Sequence, residues 1–142
     1  MLRVSRENAV LSALSMFLLV GCSAPSVKTH PVTGKVEIKD GDVAILTGSG
    51  VEFMHESDEF LRPSGNIDSS GNFTVKTLHQ GEILVGAPEG KYKARIILGD
   101  ESDEGVPKRK GNVIHPRYLE FATSKLSFTV PGGDYTVTLS KK

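Results

Sequence analysis

From Pro31 onward, apolar and polar side chains alternate along much of the chain. Val32, Gly34, Val36 and Ile38 alternate with Thr33, Lys35, Glu37 and Lys39. Val51 and Phe53 flank Glu52; Phe73, Val75 and Thr77 alternate with Asn72, Thr74 and Lys76. Tyr92, Ala94, Ile96 and Leu98 do the same with Lys91, Lys93 and Arg95. Two further runs close the chain, Leu126-Phe128-Val130 and Tyr135-Val137-Leu139. A period of two places successive side chains on opposite faces of a strand, so each run predicts a strand with one packed and one wet face. In-phase Tyr92, Ile96, Phe128 and Val137 are expected to share one core, with Lys93 turned to solvent.

Turn chemistry separates the runs. Asp40-Gly41-Asp42, Gly48-Ser49-Gly50, Asp68-Ser69-Ser70-Gly71, Pro88-Glu89-Gly90 and Pro131-Gly132-Gly133 place Gly where tight turns need it. No window after the first 22 residues holds a helical period over three turns. Short strands between Gly and Pro breaks indicate an all-β sandwich or barrel, and the length suits seven or eight strands. Two segments break the alternation. Gly99 to Gly111 is a charged loop, acidic then basic. Asn112 to Thr123 reads as an irregular connection that pins Tyr118 and Phe121 against the core.

The N-terminal end differs in kind. Arg3 and Arg6 precede an apolar run from Ala9 to Val20, broken only by Ser12 and Ser15. That run suits a signal peptide and is too short to span a bilayer, which takes about 20 residues. The only cysteine, Cys22, follows directly. Leu19-Val20-Gly21-Cys22 resembles the lipobox of bacterial lipoproteins. The resemblance implies cleavage before Cys22 and a diacylglycerol on its sulfur, with further acylation of the new amino terminus as an option. One acyl chain holds a protein marginally and two or more hold it stably. Residues 1–21 are therefore expected to be a signal peptide, 22–30 a lipidated tether and 31–142 the sandwich domain. The address is export and lipid anchoring to a membrane of the cell envelope.

The strand order carries a second resemblance. Val32-Thr33-Gly34-Lys35-Val36, then Ile67-Asp68-Ser69-Ser70-Gly71-Asn72-Phe73, then Gly86-Ala87-Pro88-Glu89-Gly90-Lys91-Tyr92 resemble motifs of transthyretin-like and carboxypeptidase-regulatory-like domains. Ile114-His115-Pro116-Arg117-Tyr118 and Ser124 to Val130 resemble their closing strands. With the lipobox, the chain is similar to small planctomycete-type envelope lipoproteins. The Asp40-Gly41 turn lacks the family's usual Pro, and the Pro116 to Tyr118 spacing is one residue short. The resemblance implies an immunoglobulin-like or prealbumin-like sandwich of mostly antiparallel strands, and no settled activity.

Charge and candidate chemistry add little. The chain has 17 basic and 17 acidic side chains, so no global field draws it to nucleic acid. A single cysteine excludes an internal disulfide. His30, His55, His79 and His115 have no metal-ligand spacing and read as surface or packing residues. Asp68 to Asn72 offers oxygens around a Gly but lacks the calcium-loop pattern, so Asp68 is expected to cap its own turn. Asp100, Glu101, Asp103 and Glu104 read as a solvated charge run that Lys108, Arg109 and Lys110 can neutralise. There is no nucleophile elbow and no glycine-rich phosphate loop before a helix. The expectation is no enzyme, no catalytic residue, no cofactor and no metal. Two readings follow: a non-catalytic binding or adaptor module with an envelope protein or glycan partner, or a purely structural envelope protein. A calcium- or carbohydrate-binding module ranks behind both.

Overall fold

A computed structural model describes residues 26–141; residues 1–25, with the expected signal peptide and Cys22, and Lys142 lie outside the described residues. The alternating runs become strands, with β1 at Thr29–His30, β2 at Thr33–Ile38, β3 at Gly50–His55 and β4 at Ser64–Asn66. Next come β5 at Asn72–Thr74, β6 at Lys76–His79, β7 at Glu82–Val85, β8 at Ala87–Pro88 and β9 at Gly90–Ile97. The last two are β10 at Leu126–Val130 and β11 at Thr136–Leu139. A single helical turn, α1 (Phe121–Ser124), and 3-10 turns at Val43–Leu46 and Pro116–Leu119 complete the described elements.

The fold is an all-β sandwich. Six strands run in the order β10-β9-β3-β4-β6-β7, three in the order β11-β2-β5, and β1 pairs with β8. The segments outnumber the seven or eight expected because the short β1, β4, β7 and β8 do not stand out as alternating runs and because the run through Val75 serves both sheets. Residues 72–74 pair in the small sheet and 76–79 in the large one. At the switch the Val75 amide donates to Val32 O (2.9 Å), and its carbonyl accepts from Gly86 N (2.8 Å). β11 lies parallel to β2, whereas the other strand pairings are antiparallel. Thr29 and His30, expected in the tether, pair with Pro88 and Ala87.

The inner faces match the alternation. Val36, Val51, Phe53, Val75, Tyr92, Ile96, Val137 and Leu139 are buried, and Lys93 is exposed. Phe53 joins the two sheets: its ring lies 6.3 Å from Phe73, 6.2 Å from Tyr92 and 5.5 Å from Phe128. Such ring pairs add about 0.5–1.5 kcal/mol beyond area burial. Phe128 faces the same core, as expected, but less deeply than Tyr92, Ile96 and Val137. It packs against the core from its margin and is only half-buried, because β10 is the last strand of its sheet. The connection before β10 also differs: Tyr118 is buried, but Phe121 stays half-buried beside two arginines.

The buried hydroxyls are partnered. Thr77 donates to Gly86 O (2.7 Å), Ser124 donates to Ala94 O (2.6 Å), and Ser49 Oγ accepts from Gly99 N (3.1 Å). Tyr92, whose side chain is buried, donates its hydroxyl to Pro88 O at 2.7 Å. Burial pushes its pKa up to about 12.

Candidate functional site

Three surface features carry polar chemistry, and the first is a groove. It has a volume of about 540 Å³ and lies where the chain crosses between the two sheets. Ser64 and Asn66 of β4 and Asn72 and Thr74 of β5 supply its polar walls. Arg62, Asp68 and Lys76 supply charge; Leu78 and Ile83 form its apolar lip. Gly65 lets the walls approach: a Cβ there would sit 2.6 Å from Thr74 O, a contact real side chains do not make.

The lip belongs to the β6–β7 hairpin. Gln80 (φ 49°) and Gly81 (φ 81°) turn it, both left-handed, as two-residue hairpins require. Leu78 pairs with Ile83 across the strands, and Lys76 pairs with Val85. Directly paired residues share a face, so Lys76, Leu78, Ile83 and Val85 lie together on one face. That face is exposed: Leu78 is 71% accessible, Ile83 69% and Val85 61%. The sequence hid this hairpin because Glu82-Ile83-Leu84-Val85 does not alternate and Gln-Gly is a weak turn signal.

The second feature is an ion-pair cluster on the outer face of the large sheet. Glu52 and Arg95 are cross-strand partners, and Arg95 Nε meets Glu52 Oε2 at 2.6 Å. Arg62 Nη1 stands 3.9 Å from Glu52 Oε1, and Arg95 Nη1 stands 4.0 Å from Glu120 Oε2. Both guanidiniums cover the Phe121 ring, at 5.4 Å for Arg62 and 4.8 Å for Arg95. Cation–π contact and charge pairing satisfy these groups mutually, and the cluster holds Arg62 at the groove.

The third is the charged loop after β9. Arg109 is nearly buried there. Its Nε lies 3.3 Å from Glu101 Oε1, its backbone N–H donates to the same carboxylate, and its Nη2 donates to Gly99 O. Nη1 has no partner. The basic half of the loop thus folds back onto the acidic half, as the charge order suggested.

Cys22 lies outside the described residues. Asp68 caps its own turn: Oδ1 accepts from Asn72 N and Ser70 N, each at 2.9 Å. These bonds, led by the one from Asn72, hold its carboxyl below the ordinary range. Asp100 Oδ1 likewise accepts from Ser102 N (2.8 Å) and Ser102 Oγ (2.7 Å), which lowers its pKa. Gly71 (φ 87°) closes the first turn, where any Cβ would strike Val36 O. Among the described residues no three His, Cys, Asp or Glu side chains gather as metal ligands. His55 packs edge-on against Tyr92 (5.0 Å), and His115 Nδ1 accepts from Arg117 N (3.1 Å). Among the described residues no helix is long and apolar enough to cross a membrane.

No family model, no curated protein and no solved structure matches the chain.

Proposed function

We propose that this chain is an exported lipoprotein, anchored through an acylated Cys22, whose sandwich serves as a non-catalytic binding or adaptor module at the cell envelope. The groove beside the β6–β7 hairpin is its contact surface. The likeness to transthyretin-like and carboxypeptidase-regulatory-like domains belongs to the same proposal. The observation that carries the reading is the pairing of an open polar groove with an apolar lip on an edge of the sheet. Concave surfaces with a few polar groups and exposed apolar patches mark binding faces. The lining supports contact rather than turnover. Its carboxylate, Asp68, is committed to backbone donors, and its hydroxyls, Ser64 and Thr74, have no histidine beside them in the groove.

The test has two parts. Mass spectrometry of the amino-terminal peptide reads acyl mass on Cys22; a mature terminus at another residue, unmodified, removes the anchor. A photo-crosslinking residue replacing Asn66, activated in intact cells, is expected to capture a discrete envelope protein or glycan. Loss of capture on Asn72→Lys, which fills the groove, ties the partner to this surface. No capture at all favours the purely structural role.

A further inference from the structure

An exposed aliphatic edge strand is a hazard, because its free backbone groups and apolar side chains recruit other strands. β7 ends the six-stranded sheet, and three of the molecule's most exposed large aliphatic residues stand on its hairpin. Something must cover that face, and the start of the domain says what.

The chain enters the fold beside this hairpin. Thr29 pairs with Pro88, and its Oγ1 donates to Val85 O at 2.8 Å. Seven peptide steps separate Thr29 from Cys22. Fully extended they reach about 25 Å at most, so an acyl anchor at Cys22 keeps the membrane surface within about that distance of Thr29, whose side chain bonds Val85 O. Val85 to Ile83 spans about 7 Å along the strand. The aliphatic face is therefore among the parts of the domain nearest the anchor.

Charge agrees. Lys76 shares the aliphatic face, and Lys28 precedes Thr29 and is exposed. Glu82 falls on the other face of β7. Cations beside an apolar patch suit a surface of anionic phospholipid.

We propose that the outer face of the β6–β7 hairpin lies against the bilayer that holds Cys22, with Leu78, Ile83 and Val85 in the interface and Lys76 and Lys28 against lipid phosphates. The proposal rests on the anchoring at Cys22 put forward above. A second copy is the rival cover. Three aliphatic side chains fall far short of the roughly 20–30 residues a side in a stable protein interface, which favours lipid. The bilayer then fixes the orientation of the domain.

Acylation consumes the only native thiol, so an introduced cysteine is unique in the mature protein. Ile83→Cys, Leu78→Cys and Thr138→Cys, all exposed positions, would each carry a nitroxide label. Thr138, on β11 of the other sheet, is the control. The full lipidated proteins are placed in vesicles of phosphatidylethanolamine and phosphatidylglycerol. Labels at 78 and 83 are expected to be shielded several-fold from a water-soluble nickel chelate and open to oxygen, with the label at 138 open to both. Acyl mass on Cys22 with labels at 78 and 83 as open as 138 would overturn the docking and leave the anchor standing. Dipolar coupling between two copies labelled at 83 would give the face to a second copy and also overturn the docking. A Cys22 without acyl mass would remove the anchoring reading, and the docking with it.

Discussion

The two edges of the six-stranded sheet are built in opposite ways. At the β10 edge the outward face is polar: Ser127 pairs with Lys93 and Thr129 with Lys91, all exposed. Inward, Phe128 packs on Phe53 and Tyr135, and Val130 is fully buried. At the β7 edge the arrangement inverts. The outward face carries Leu78, Ile83 and Val85, while the inward face offers only a half-buried Leu84 and a buried Thr77. One cross-sheet row makes the change visible. Arg95, Glu52, Ser64, Lys76 and Val85 are successive partners, charged at one end and aliphatic at the other. An aliphatic edge invites further pairing more than one that presents Ser127 and Thr129. The sheet thus has a polar outer margin at β10 and an aliphatic one at β7.

The comparison yields graded effects. Phe53→Ala, at the centre between the edges, should cost about 3–5 kcal/mol by urea unfolding, as large aromatic truncations do. Phe128→Ala should cost roughly half of that ~3–5 kcal/mol, because its ring is only half-buried. Equal losses would mean β10 is as central as β3.

Tyr92→Phe should cost roughly 1–1.5 kcal/mol, since Pro88 O loses its donor. The same variant sharpens a pH effect. The folded pKa of Tyr92 is about 12 against 10.0 in the unfolded chain, so the fold favours the neutral phenol. That contribution is fully present below pH 10 and is lost as pH rises from there towards about 12. Alkaline unfolding followed by circular dichroism should be shallower over that window in Tyr92→Phe. An unchanged slope would place the tyrosine in water.

Ile83→Ser should change stability by no more than about 0.5 kcal/mol, the range of surface substitutions. A cost of a core residue would mean β7 is packed and the two edges are alike. The smallest expected effect is calcium. Melting curves with chelator and with millimolar calcium should superimpose, because the Asp68 and Asp100 carboxylates already accept backbone amides. A rise of several degrees would return Asp68, Asp100 and Asp103 as ligands, since saturating a site stabilises by about 2.7 kcal/mol at a hundredfold excess over Kd.

What was legible in the sequence was local. Alternation assigned the inward faces of β2, β3, β9 and β11 correctly, because a strand's pleat turns each residue opposite to its neighbour whatever the strand pairs with. Asp68 announced its own turn for the same reason: its partners, Ser70 and Asn72, are two and four residues away. The resemblance of Leu19-Val20-Gly21-Cys22 to a lipobox is likewise local, and it lies outside the described residues. Tertiary structure decided the rest. Which strands become edges depends on what fails to pair, and no residue in Leu126–Val130 or Glu82–Val85 encodes a missing neighbour. The parallel pairing of β2 with β11, the switch of sheets at Val75 and the meeting of Arg62 and Arg95 over Phe121 join residues far apart in the chain. The groove arises from those same crossings. Its walls come from separate strands whose approach is set by packing at Gly65, a distance that a linear pattern of side chains does not contain.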